Sequence, residues 1–300
     1  MLDRLKRIFF DVVPHCFVLK AIPDKMYTEM LYYYKIGKRL NLNNPATFNE
    51  KINWLKLYDR KPIYTLMADK YTARLYVAAT IGEEYLIPMA GIWDSAEDID
   101  FSNLPAKFVL KCTHDSASVV ICTDKTKMDY QTVRRALNRS LRRNYHYNQR
   151  EWPYKNIKPR IIAEEYVEDA HAQLWDYRFF CFNGEVKHIQ VDYERVTEYK
   201  SRLYTYKRAS FTPDWEYIED VSKKCYTVDS TDIIEKPISL DLMKNLAGRL
   251  SEGYPFIRVD LHAIGERVLF GELTFHPHGG HDPMPESLNS ELGNCIKLPK

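Results

Sequence analysis

The 300-residue chain lacks a charge excess of either sign: 43 Lys and Arg against 41 Asp and Glu leave a formal +2. That excludes a general nucleic-acid coat, which needs a strong basic excess to neutralise phosphates. Its six cysteines (Cys16, Cys112, Cys122, Cys181, Cys225, Cys295) contain no C-x-x-C pair and no zinc-like spacing. Reduced thiols in a cytosolic protein are therefore expected, three of them packed as small hydrophobes in apolar strand-like runs. No stretch approaches the roughly 18 apolar residues of a membrane-spanning helix. The opening MLDRLKRIFFDVVPHCFVLKAIP starts basic and turns apolar as a signal peptide does. Asp11, Pro14 and His15 interrupt the run, however, and no small-residue cleavage site follows. A cytoplasmic location is the expectation. Because Arg4, Lys6 and Arg7 flank Ile8, Phe9 and Phe10, this segment either packs as a helix on the body of the protein or makes a peripheral membrane contact. Internal repeats and low-complexity linkers are also missing, so a chain of this length forms one large domain or two lobes.

What is present is an ordered change of period. The first hundred residues read as mainly helical. In DKYTARLYVAATIGEEYLIP, Tyr71, Leu75 and Ala78 recur at helical spacing, Gly82 is a stop, and a short strand is expected around Tyr85 to Ile87. KFVLKC and SVVICTD are β-rich runs joined by the polar THDSA, a hairpin pattern. Residues 130–143 return to helical spacing with Val133, Leu137 and Leu141 inside and Arg135, Arg139 and Arg142 outside. Strands then dominate (RIIAEEYV, YRFFCFNG, EVKHIQVDY, RLYTYK), a last amphipathic helix falls near 239–251, and FIRVDLHAIGERVLFGELTF closes the pattern. The expectation is an α+β fold: a mainly helical region over 1–105, a small hairpin-containing lobe over 106–168, and a mixed-sheet lobe over 169–300, with a cleft between the lobes.

Strand parity points to chemistry. In FIRVDLH, Arg258 and Asp260 share one face while Ile257, Val259 and Leu261 share the other. If IGER makes the turn, centred near Glu266, Asp260 falls opposite Glu272, with Cβ atoms about 5 Å apart. Two carboxylates so placed need a cation between them. Mg²⁺ suits them, since it takes one or two carboxylates and fills its other positions with phosphate oxygens and water, and Arg258 adds a fixed charge for a phosphoryl group. A salt-bridged triplet without metal satisfies the same parity, and the pattern alone does not separate the two. Lys111 ends its strand just before THDSAS, whose amides and hydroxyls (Thr113, Ser116, Ser118) form a phosphate cradle or an ordinary solvated turn. RIIAEEYVED turns polar at Glu164 and Glu165, and such a strand exit can offer the backbone of Glu165 and Val167 to an adenine edge.

Taken in order, FNEKINWLK, ADKYTARLYV, KFVLKCTHDS, YKNIKPRIIAEEYV, DYRFFCFNGE, FIRVDL and FGELTFHPHGG resemble the TupA-like ATP-grasp proteins of teichuronopeptide and surface-polysaccharide gene clusters, over roughly residues 30–300. The resemblance implies an ATP-grasp fold with ATP and Mg²⁺ in a cleft between two lobes. Lys70 and Lys111 would hold phosphates with Ser116 and Ser118. Glu164, with main-chain groups of Glu165 and Val167, would form the adenine hinge, and Asp176 would meet the ribose. Arg258 would be catalytic, and Asp260, Glu272 and Thr274 would hold metal. Thr274 stands where similar ligases have asparagine, and the hairpin loop lacks the usual glycines. The implied activity is carboxylate–amine ligation through an acyl phosphate, with a carboxylated sugar or amino acid and an amine acceptor as substrates; the near-neutral charge, for its part, leads to the expectation of no nucleic-acid partner.

Other features compete. His276, His278 and His281 in HPHGGH invite a metal, but the Pro277 and Gly279-Gly280 turns leave their directions open, and a structural or substrate-contacting role is the expectation ahead of metal. RRALNRSLRRNYHYNQREWPYK interleaves basic and aromatic residues, which is a solvated helix face followed by a packed loop, or a surface for an anionic saccharide or RNA. A glycosyltransferase would need Asp98-Ile99-Asp100, set in a polar turn, as its D-x-D; a non-catalytic nucleotide- or RNA-binding module would leave Asp260 and Glu272 without a role.

Overall fold

The computed structural model describes residues 20–116, 118–168, 174–198, 203–219, 234–282 and 284–299. The N-terminal segment on which the membrane-contact alternative rests lies outside the described residues, as do Cys16 and Cys225.

Helix α1 (Asp24–Ile36) stops at Gly37, whose φ of 79° is the left-handed cap that glycine takes without Cβ strain. Helix α2 (Phe48–Tyr58) starts at a capping box, in which the Glu50 N–H donates to the Thr47 hydroxyl and the Thr47 N–H to the Glu50 carboxylate. Helices α3 (Pro62–Ala68) and α4 (Ala73–Thr80) follow. In α4 the buried positions are Ala73 and Val77, while Leu75 is 71% exposed. The stripe read through Tyr71 and Leu75 was out of phase because Tyr71 lies in a turn before the helix. The strand expected at 85–87 is also displaced: Glu83–Tyr85 is a 3-10 turn, and strand β1 is Met89–Trp93. Pro88, which has no N–H for a ladder, marks the shift.

Strand β1 joins β2 (Phe108–Cys112), β3 (Val119–Cys122) and β4 (Ile161–Glu165) in a sheet of order β1-β4-β2-β3, with β2 and β3 forming the expected hairpin. Helix α5 (Tyr130–Leu141) packs Val133 and Leu137 on this sheet, against Leu110, Cys112 and Ile161. Its arginines 135, 139 and 142 are exposed. The short helix α6 (His146–Gln149) and a 3-10 turn at Trp152–Asn156 lead into β4.

The second sheet has order β10-β9-β5-β6-β7-β8, from β5 (Asp176–Phe182), β6 (Glu185–Glu198), β7 (Leu203–Phe211), β8 (Tyr217–Ile218), β9 (Ile257–Ile264) and β10 (Arg267–Thr274). Every pairing among the described residues is antiparallel, so the sheet expected as mixed is antiparallel instead. Its apolar face (Phe179, Ile189, Val191, Ile257, Val259, Leu261) packs under helix α7 (Leu240–Ser251) and against Tyr64, Met67 and Val77 of α3 and α4. Each such fully buried aliphatic contributes roughly 1.5–3 kcal/mol. On the opposite face, Phe180, Phe182 and Phe256 meet Phe48 and Ile52 of α2 and Leu292 of helix α8 (Glu286–Cys295). The rest of that face is polar and largely charged, with Gln190, Ser210 and Thr274 among the ionic side chains. Cys112, Cys122 and Cys181 are free and buried, as thiols packed for volume should be.

Candidate active site

The β9–β10 hairpin sets the site. Its register pairs Asp260 with Glu272 and Arg258 with Thr274, as parity requires, with a bulge between Phe270 and Glu272. Gly271 sits in that bulge, where a Cβ would come within 3.0 Å of the Asp260 carbonyl and 3.1 Å of His262 Nε2. Arg258 lies between the carboxylates. Its Nε and Nη2 donate to the two Asp260 oxygens at 2.7 and 2.6 Å, and Nη2 also reaches Glu272 Oε1 at 2.8 Å and Thr274 Oγ1 at 3.0 Å. Thr274 Oγ1 donates to the same Glu272 oxygen at 3.1 Å.

The charges continue across the sheet. Arg178, opposite Asp260 on β5, lies 3.6 Å from it, 3.5 Å from Asp176 and 2.7 Å from Asp192, which Arg208 on β7 grips at 2.6 Å. Asp176 also meets His262 at 3.3 Å. The sign thus alternates along a largely buried row. Burial opposes the Glu272 carboxylate, but Arg258, Lys70 and Arg178 outweigh it and hold its pKa near 2. Asp260 lies deeper, and there burial prevails and shifts the pKa up.

The small lobe faces this row. Lys70, just beyond α3, docks on the hairpin loop: its N–H donates to Thr113 O at 3.1 Å and its Nζ to Asp115 O. Lys70, Tyr154, Gly271 and Glu272 line one cleft. The cleft has room for little more than a water molecule as it stands, so a nucleotide would require the lobes to part. The THDSA loop is more than a solvated turn, since Thr113, His114 and Asp115 are buried, and His114 Nε2 lies 3.1 Å from the carbonyls of Ser140 and Arg143. Ser118 Oγ is occupied within the hairpin by Asp115 and the Cys112 N–H. Ser116 is exposed and bonds Tyr145 at 3.0 Å. Lys111 Nζ reaches Glu164 Oε2 at 2.7 Å, and Arg74 holds the other oxygen at 3.2 Å. Although burial raises the Glu164 pKa, Lys111 and Arg74, aided by His262 from the other lobe, bring it below the usual value. The Glu165 N–H donates to Pro88 O at 3.0 Å, and Val167 lies half-buried just beyond the strand.

The donor chemistry fits magnesium and phosphate. Asp260, Glu272 and Thr274 offer two carboxylates and a hydroxyl, the hard oxygen set such a cation takes, and the second Glu272 oxygen carries no hydrogen bond among the described residues. Thr113 Oγ1 is a buried hydroxyl without a partner at the lysine-bearing loop. Among the described residues no group of three or more His, Cys, Asp or Glu side chains is arranged for a metal.

The HPHGGH turn is held by a stripe of α2 that sequence reading overlooked: Asn49, Asn53 and Lys56 donate to the carbonyls of Asp282, Gly280 and Gly279 at 2.7, 2.7 and 2.6 Å. The spacing i, i+4, i+7 in NEKINWLK was the available signal. Burial pushes the His276 and His281 imidazoles well below their usual pKa. The Asp100 carboxylate of the D-x-D candidate caps its own turn, accepting from the Ser102 N–H at 2.9 Å.

The family model described as TupA-like ATPgrasp matches residues 50–297. No curated protein matches the chain significantly. Similar solved structures include the D-alanine–D-alanine ligases of Bacillus anthracis (15% identity, 70% of this chain and 57% of that one, TM-score 0.41) and Helicobacter pylori (14%, 85% and 70%, 0.44). Another is the L-amino acid ligase of Bacillus licheniformis (13%, 80% and 51%, 0.46). In two of these three the chain spans less than two thirds of the solved protein.

Proposed function

Because the chain belongs to the TupA-like ATP-grasp family, we propose that it is an ATP-dependent carboxylate–amine ligase, acting on a carboxylated sugar or amino acid in the assembly of capsule, O-antigen or another surface polysaccharide. The observation that carries this reading is the convergence of Lys70, from the hairpin side, and Glu272, from the Asp260–Arg258–Thr274 cluster, on one cleft. Bound Mg-ATP would supply the phosphoryl group that converts a substrate carboxylate into an acyl phosphate, with the metal neutralising phosphate charge.

The chain's own residues divide the remaining work. Asp260, Glu272 and Thr274 would hold the metal. Lys70 and Lys111 are the point charges for phosphate oxygens, and of the two serines Ser116 is the one exposed to them. Glu164 anchors Lys111 at the hinge, while Glu165 and Val167 edge the adenine site and Asp176 the ribose. Arg258 would pass from the carboxylates to charge developing on the transferring group. Such transfer needs positioning and electrostatics rather than a protein nucleophile.

The test is ADP release by purified protein with Mg-ATP over a panel of uronic acids, amino acids and amino sugars. Carboxylate-dependent ADP is the expected result. Stabilisation by a sugar nucleotide in place of ATP, with no ADP formed, would overturn the reading.

A further inference from the structure

Tyr154 lines the cleft, and three residues before it Glu151 is a carboxylate that the ligase assignment leaves unused. Glu151 is only 5% exposed, yet its carboxylate forms no hydrogen bond or ion pair among the described residues, and its oxygens are not among the sealed, unpartnered atoms. A desolvated carboxylate without a partner is costly, so its position calls for a ligand. The charges that reach it are Lys56 from α2, Glu272 from β10 and Arg258 from β9. Lys56 is already turned to the Gly279 carbonyl at 2.6 Å. The Tyr154 ring lines the cleft beside Lys70 and Glu272, and Tyr145 packs edge-on against it with centroids 4.9 Å apart. The Tyr145 hydroxyl touches Ser116 of the loop. The buried carboxylate thus lies within reach of the Glu272 and Arg258 charges and one turn from a ring that lines the cleft, and Tyr145 connects that ring to the hairpin loop.

We propose that Glu151, with the rings of Tyr145 and Tyr154, forms the subsite for the acceptor amine, and that its carboxylate takes a proton from the acceptor's ammonium group before the amine attacks. The inference rests on the ligase reading. A positively charged acceptor matches both the unpaired carboxylate and the aromatic faces. The step balances. The ammonium gives one proton to Glu151, the free amine forms the C–N bond, and the C–O bond to phosphate breaks with its electron pair on phosphate. The second amine proton leaves on that phosphate, giving amide, hydrogen phosphate and neutral Glu151. Burial, opposed by Lys56 and reinforced by Glu272, raises the Glu151 pKa above the ordinary carboxylate value, the direction a base working near neutral pH needs.

The experiment compares wild type, Glu151→Gln and Glu151→Asp on the carboxylate panel with Mg-ATP. Each is assayed with amino-sugar or amino-acid acceptors and with hydroxylamine, a weakly basic amine already unprotonated at neutral pH. In Glu151→Gln the ratio of amide to hydroxamate is expected to fall about 100-fold, with partial recovery in Glu151→Asp. An unchanged ratio overturns the subsite while leaving the ligase reading intact. No ADP from wild type with any carboxylate overturns both. Where the Gln variant does not fold, the intermediate ratio of the Asp variant serves instead. A second readout needs no substrate: Glu151 ionisation opposes folding from the ordinary carboxylate pKa upward, so Glu151→Gln should melt higher than wild type at pH 8 and lose that advantage at pH 5. An equal advantage at both pH values overturns the unpaired carboxylate.

Discussion

The two faces of the six-stranded sheet bury the same strands with opposite chemistry. On one, Ile257, Val259 and Leu261 vanish into an apolar core under α7; on the other, Arg258, Asp260, Arg178, Asp192 and Arg208 are nearly as buried but hold one another through alternating ion pairs. Apolar contacts are non-directional and roughly independent, so that face tolerates local loss. Buried charges are stable only while connected, and replacing such networks by apolar residues is often neutral or stabilising. The charged face is therefore poorly explained by stability, and its end at Glu272, which lines the cleft, argues for a ligand.

Arg258→Ala is the sharpest way to break the comparison. It strands Asp260 and Glu272 and should cost about 3–5 kcal/mol in urea unfolding together with all turnover. A cost below about 1 kcal/mol would show that the row is not a connected unit. Leu261→Ala on the opposite face should cost about 2–5 kcal/mol but leave ADP formation per folded molecule close to wild type. Mg-ATP at 100-fold its Kd should stabilise the protein by about 2.7 kcal/mol, and Lys111→Ala should lose most of the melting shift; a full shift in the mutant removes Lys111 from the site.

Glu272→Gln sharpens the contrast by pH. Parity alone suggests that removing one of two facing carboxylates relieves repulsion, but Arg258 already bridges them. With its pKa held near 2, Glu272 contributes stability that is complete above the ordinary Glu value near 4.5 and fades as pH falls towards 2. The Gln variant should accordingly lose stability at neutral pH and show a flatter acid limb. Thr274→Val, the smallest change, should cost about 1 kcal/mol for the hydrogen bonds to Glu272 and Arg258, seen as a small drop in melting temperature.

Much of this was legible. The alternation in FIRVDLH and the short IGER turn were enough to place Asp260 opposite Glu272, because hairpin register is a local property. The β2–β3 hairpin and the face of α5 followed from period alone. Leu75 misled because helical phase depends on where the first turn begins, and mixed was expected for an antiparallel sheet because strand partners are chosen at long range. Lys111 was placed at the phosphate loop, but its pairing with Glu164 across 53 residues has no local signature.

By itself, then, the sequence determined which residues share a strand face, which strands form hairpins, and the family of the chain, since each depends on neighbours a few residues apart or on segment order. Only the tertiary structure decided that Arg258 lies between the two carboxylates, that the α2 stripe of Asn49, Asn53 and Lys56 grips a turn more than 220 residues later, and that Glu151, unremarkable in QREWPYK, is buried with no hydrogen bond or ion pair to its carboxylate among the described residues. Those outcomes depend on how helices, lobe and sheet pack, and the free energy of a buried charge is set by whatever packing brings beside it.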